Sequence, residues 1–167
     1  MKTATDISIE KAWALLEEVT DPEVPVLSVL DLGIVRDVIM NGEELEVVIT
    51  PTYSGCPAMD VIKMSIQMTL QSNGFEKVKV TQVLTPAWTT DWMSEAGKKK
   101  LSAFGIAPPN PKQQVCRDEL FAPHEAVECP HCHSFHTSRV SEFGSTACKA
   151  LFKCLDCLEP FDYFKCH

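Results

Sequence analysis

The chain has 167 residues, 45% of them apolar and 23% charged, which suits one globular domain or a domain with a small added module. Its net charge of −8 repels phosphate backbones, and the cationic run Lys98-Lys99-Lys100 reads as the solvated face of a helix, so nucleic acid is excluded as a partner. No stretch is apolar for the roughly 18 residues of a membrane span, and the opening MKTATDISIE has no apolar signal core; the reading is a cytoplasmic protein with no membrane partner. In that compartment eight cysteines are metal ligands or reactive thiols rather than disulfides.

In chain order, Ile9, Ala12, Trp13 and Leu16 fall on one side of a first helix, with Ser8 as its N-cap and Thr20-Asp21-Pro22 as its stop. The next segment, DPEVPVLSVLDLG, is too rich in proline for a helix interior. Asp31 and Arg36 are candidates for an ion pair that fixes its DLG turn. Two β-rich runs, Ile34 to Met40 and Leu45 to Ile49, are joined by Asn41-Gly42, a dipeptide that tolerates the positive φ angles of a hairpin turn. After the loop TPTYSGCP, the spacing of Met59, Ile62, Ile66, Thr69 and Leu70 predicts a helix ended by Asn73-Gly74. Alternation from Lys77 to Leu84 predicts a third strand, and Thr90 is the expected cap of a helix reaching about Phe104, with Gly105 beyond it. The resulting fold class is a two-layer α/β domain, a small mixed sheet with helices, over residues 1–106. A Pro-rich linker over 107–115, which opens with APPNPK (Ala107 to Lys112), then leads to a cysteine-rich, zinc-ribbon-like module over 116–167.

That module carries two C-x-x-C pairs, Cys129-Pro130-His131-Cys132 and Cys154-Leu155-Asp156-Cys157, with 21 residues between them. Each pair can turn two sulfurs toward one point. Two such turns close a tetrahedral site that suits zinc and leaves no position for a substrate. A module this short buries too little apolar surface to fold unaided, so a structural zinc would supply the folding energy. Four scattered core cysteines are the alternative, and the paired spacing counts against it. His131, His133 and His136 crowd the first pair and read as exposed residues or neighbours of the ligands. Cys148 and Cys166 exceed what one metal needs; they are either small buried apolar residues or a second, softer metal or cluster site.

Cys56 precedes Pro57, and proline is at home in the first turn of a helix. The sulfur is therefore expected at the N-terminus of the helix beginning near Ala58, where the dipole would lower its pKa and make it a better nucleophile or soft-metal ligand. The competing reading is a loop thiol packed beneath Tyr53. No histidine lies in the α/β part, which counts against a Cys–His hydrolase. Asp21 and Glu23 flank Pro22 as paired carboxylates, although both are also ordinary turn residues. Trp88 and Trp92 in PAWTTDW are interface anchors or packing residues.

The stretches DPEVPVLSVLDLGIVRDV and TPTYSGCPAMDVI resemble the small α/β domain shared by SufT and cytosolic iron–sulfur assembly proteins. With PAWTTDWMSEAGKKKL, CPHC, SEFGSTACKALFKC and EPFDYFKC added, nearly the whole chain resembles the PaaD family, accessory proteins of the bacterial phenylacetyl-CoA epoxidase system. The resemblance implies a non-catalytic role in maturing a multicomponent oxygenase. Its di-iron subunit and iron–sulfur reductase would be the partners, and iron or an iron–sulfur cluster the transient cargo, beside a structural zinc. The resemblance also places Cys56 on the family's functional thiol, Asp21, Pro22 and Glu23 on its D-P-E motif, and Cys148 and Cys166 on its extra cysteines. His167 departs from the family's pattern. A non-catalytic structural component of the oxygenase complex, docking through its zinc ribbon, is the alternative function. An enzyme with Cys56 as nucleophile, such as a thioesterase, is a third, and a homodimer is among the assemblies left open.

Overall fold

The computed structural model describes residues 4–109 and 127–165, in two units, Met1–Ser94 and Glu95–His167. The first unit is organised by a hairpin and a crossover helix. Strand β1 (Val35–Asn41) pairs antiparallel with β2 (Glu44–Ile49), Asn41 lying opposite Glu44. The hairpin thus turns through Gly42-Glu43, one residue later than Asn41-Gly42. Gly42 alone takes the positive φ, 66°, as a turn with glycine in its first central position requires. Strand β3 (Lys77–Gln82) runs parallel to β2, and a parallel pair needs a crossover, which α2 (Ala58–Ser72) supplies.

The strand order β1-β2-β3 puts β2 in the middle, and its alternate residues Leu45, Val47 and Ile49 are fully buried. Ile62, Ile66 and Leu70 of α2, with Ala12 and Leu16 of α1 (Ala4–Leu16), complete this core, each large side chain contributing about 1.5–3 kcal/mol. Two layers result, as the periodicities indicate. Helix α1 begins before Ser8, because no proline or glycine in ATDIS stops it, so Ser8 lies inside the helix rather than at its cap.

The DLG turn is fixed by long-range contacts that spacing does not reveal. Gly33 has φ 67°, and a Cβ there would sit 2.1 Å from the Trp92 carbonyl oxygen, so only glycine fits. Trp88, buried, donates from Nε1 to the Leu32 carbonyl at 2.9 Å, which makes it a packing residue rather than an exposed anchor. The expected Asp31–Arg36 ion pair is not formed. Asp31 is buried and accepts from Ser94 Oγ at 2.7 Å, while Arg36 lies over the Trp92 ring at 3.5 Å.

These contacts also break the helix expected from Thr90 to Phe104. A single 3-10 turn covers Thr90–Trp92, Met93 is extended and buried, and Ser94 donates its N–H to the Asp31 carbonyl at 2.9 Å. Helix α3 (Glu95–Ala103) starts only after that, and Gly105 follows its end with φ 89°.

In the second unit the sheet order is β4-β7-β6-β5, from β4 (Ile106–Ala107), β5 (Thr137–Ser141), β6 (Lys149–Cys154) and β7 (Pro160–Phe164). β5, β6 and β7 pair antiparallel, and β4 adds to β7 in parallel. Ala107 therefore pairs with Tyr163, so the sequence-based connector 107–115 opens on a strand, and its residues from 110 lie outside the described ones. The division between units at Ser94 likewise puts α3 and β4 with the C-terminal unit, ahead of the boundary at 106 that composition suggests. A small core of Val127, Ala150, Phe152, Phe161 and Tyr163 surrounds the buried sulfurs of Cys129 and Cys154. No helix among the described residues is long and apolar enough to cross a membrane.

Candidate metal centre and thiol site

The two C-x-x-C segments form matching turns. In the first, Cys129 donates its N–H to the Ser134 carbonyl at 2.9 Å; in the second, Cys154 donates to the Glu159 carbonyl at 3.0 Å. The turns face each other across the end of the β5–β6 ladder. Cys129 and Cys157 sulfurs stand 3.8 Å apart, Cys132 and Cys154 sulfurs 3.6 Å apart, and all four lie within 4.8 Å of one another. A tetrahedron of four zinc–sulfur bonds of about 2.3 Å separates its sulfurs by about 3.8 Å, so the donor set fits such an ion.

Electrostatics points the same way. Backbone N–H groups of Cys157 and Asp156 hold Cys154 down to about 7. Cys157, despite the Glu159 N–H that lowers it, is pushed up to about 12 by burial and by the sulfurs of Cys132, Cys154 and Cys129. Four thiolates cannot share this space without a cation to neutralise them. Cys129 and Cys154 are buried, whereas Cys132 is exposed, so one flank of the centre faces solvent.

The histidines stand outside the sulfur set. His133 Nδ1 meets Glu128 Oε1 at 2.8 Å and His136 Nδ1 meets Asp156 Oδ1 at 2.9 Å. Asp156, hydrogen-bonded by Ser134 and His136, is held below the usual carboxylate range.

Cys148 is buried just before β6, its sulfur 3.0 Å from Thr146 Oγ1. Cys154 ends the same strand, and six residues at about 3.3 Å each put roughly 20 Å between them. Cys148 thus belongs to a different end of the sheet from the four-cysteine centre. Cys166, its expected partner, lies outside the described residues.

Cys56 precedes α2, whose N-cap is Pro57, so the proline places the thiol at the helix entrance as the sequence suggests. Its pKa, however, is raised, not lowered. Burial is the main cause; together with repulsion from the carboxylates of Glu23 and Asp21 it outweighs the Ala58 N–H and the Thr52 hydroxyl, which lower it. The fold therefore puts Cys56 within electrostatic range of two D-P-E carboxylates more than thirty positions away in sequence. Asp21 Oδ1 also accepts from the N–H groups of Glu23 at 2.7 Å and Val24 at 2.9 Å, which bends the loop around Pro22. Nearby in sequence, at the end of β2, the buried Thr50 hydroxyl lacks a hydrogen-bond partner among the described residues. Among those residues the four knuckle cysteines are the group that converges to metal-ligand distances.

Fold and sites define a two-module protein, an iron–sulfur-assembly-type α/β domain joined to a cysteine-knuckle ribbon. The description "Iron-sulfur cluster assembly protein" matches residues 9–83, and "PaaD zinc beta ribbon domain" matches residues 113–165. The chain belongs to the PaaD family: it is 48% identical over 166 residues, 99% of this chain and 98% of the relative, to an Escherichia coli protein provisionally named as a 1,2-phenylacetyl-CoA epoxidase subunit. A Porphyromonas gingivalis Fe-S protein maturation auxiliary factor is 36% identical over 89 residues, 52% of this chain and 84% of that protein. A Bacillus anthracis domain of unknown function, DUF59, superposes with a TM-score of 0.54 at 30% identity, covering 59% of this chain and 94% of its own.

Proposed function

We propose that the chain is a non-catalytic accessory and maturation factor of a phenylacetyl-CoA epoxidase, assisting the assembly of iron or an iron–sulfur cofactor in its di-iron oxygenase or its iron–sulfur reductase. The observation that carries this reading is the grouping of Cys56 with Asp21 and Glu23 at the entrance of α2. Two carboxylates oppose a bare thiolate but favour one neutralised by a cation. A neutral thiol that ionises only as its cargo arrives suits brief holding and release better than nucleophilic attack. In this reading Cys129, Cys132, Cys154 and Cys157 hold a structural zinc, and Cys56 handles the cargo. A role for Cys148 with Cys166 in a second site remains a proposal on the same footing.

The test is the metal and acid-labile sulfide content of protein purified without oxygen, for wild type and Cys56→Ser, alongside oxygenase activity in cells. Zinc retained in both, with iron and client activity lost only in the variant, is the expected result. Unchanged client activity and cofactor content in Cys56→Ser would remove Cys56 from the function. A second reading, a structural component of the complex, is favoured by the word "subunit" in the name of the Escherichia coli relative. Stoichiometric co-purification with active epoxidase would support it, and active epoxidase lacking this chain would exclude it.

A further inference from the structure

Both knuckles place the residue after their second cysteine in the left-handed region, His133 at φ 61° and Leu158 at φ 67°. Glycine adopts that conformation freely, and a residue with a Cβ does so at a cost. His133 gains a contact with Glu128 there. Leu158 instead holds a large apolar side chain out in solvent, 62% exposed. Leu155 of the same knuckle is also exposed, and its N–H is bonded at 2.8 Å to the carbonyl of His136, the residue that follows the exposed Phe135. Single exposed apolar residues are ordinary, but three around one knuckle pair, one of them at a strained position, have the composition of an interface centre.

We propose that this knuckle face is the docking surface for an epoxidase subunit presenting an apolar patch rimmed by lysine and arginine; the proposal rests on the accessory reading above. Charge selects the occupant. Glu128, Asp156 and Glu159 of the two knuckle segments are exposed; the exposed cations on the adjoining strands are Lys153 of β6 and Arg139 of β5, the latter paired with Glu142. A second copy of this chain, with its net charge of −8, would set the same carboxylates against one another across a two-fold axis, whereas a basic rim would pair with them.

The experiment captures co-produced epoxidase subunits on the full zinc-loaded chain, as wild type, as Leu158→Gly, and as the pair Phe135→Ser with Leu155→Ser. Leu158→Gly is expected to keep the wild-type metal content and a melting temperature no lower than wild type, because the strain leaves with the side chain. Its capture of subunits is expected to fall about tenfold or more, as for loss of a central anchor. The paired variant is expected to lose capture similarly, and added salt to weaken capture by wild type. Wild-type capture by all variants would overturn the surface and leave the accessory reading standing. No capture by wild type itself would overturn both. Self-association through this face, lost in Leu158→Gly, would overturn the assigned occupant.

Discussion

The first unit is held by a layer of apolar side chains between two helices and a sheet, while the second gathers a few aromatic residues around four sulfurs. Leu45, Val47, Ile49, Ile62, Ile66 and Leu70 are buried as apolar side chains. In the second unit two of the most deeply buried side chains are cysteines, so the groups that close its core also repel one another unless a cation joins them. The contrast separates two kinds of cysteine in one chain, a single buried thiol and a converging set of four. Cys56 stands within electrostatic range of carboxylates on an apolar frame, whereas Cys129 and Cys154 are themselves part of the core of the second unit.

The largest effect that would sharpen this contrast is metal removal. A strong chelator, or Cys154→Ser, is expected to unfold the C-terminal unit, since a structural zinc at the four cysteines would supply on the order of 10–16 kcal/mol of apparent binding energy. Hydrogen exchange should at the same time leave β1, β2, β3 and α2 protected; loss of protection there would break the comparison. Next, Ile66→Ala is expected to cost the first unit about 2–5 kcal/mol by opening a cavity under α2, with metal content per chain unchanged.

A smaller effect concerns Cys56. Its raised pKa keeps it a thiol at neutral pH, so alkylation should be slow and should accelerate as pH rises toward its pKa. Glu23→Gln removes one repulsive charge and is expected to speed alkylation by a few-fold, on the order of 2–5 times, because burial, the larger cause, remains. Mass spectrometry of the modified peptide checks it, and an unchanged rate would take Glu23 out of the thiol's surroundings.

The smallest effect lies on the open face of the first sheet. Glu46 is held below the usual carboxylate range by Thr81 and Lys79. A carboxylate depressed in the folded state contributes stability above its unfolded pKa and loses it as pH falls through the folded value. Glu46→Gln should therefore lower stability slightly at neutral pH and flatten the acid limb of the curve, below about pH 4.5, measured by denaturant titration at several pH values.

How far such features can be read from sequence depends on whether their causes are local. The hairpin, the buried face of α2 and the two knuckles follow from spacings of a few residues, and the convergence of the four knuckle cysteines was legible from C-x-x-C alone. What escaped reading comes from partners far along the chain. Ser94 leaves the expected helix because Asp31 binds it, and Gly33 is required because Trp92 crosses above it. β4 is two residues long and exists only through β7. The direction of the Cys56 shift reversed for the same reason: the helix entrance was visible, but the burial and the carboxylates of Asp21 and Glu23 were not.

The parallel pairing of Ile106 with Asp162 carries a kinetic consequence. β6 and β7 are joined by a short turn that contains the second knuckle, so they can meet early, with a small entropy of closure. β4 must instead wait for a partner more than fifty residues downstream, and contacts of that separation form slowly. Capture of the ion by the knuckles would therefore set the register of the ribbon first, and the docking of β4 would be the slow step that completes the sheet.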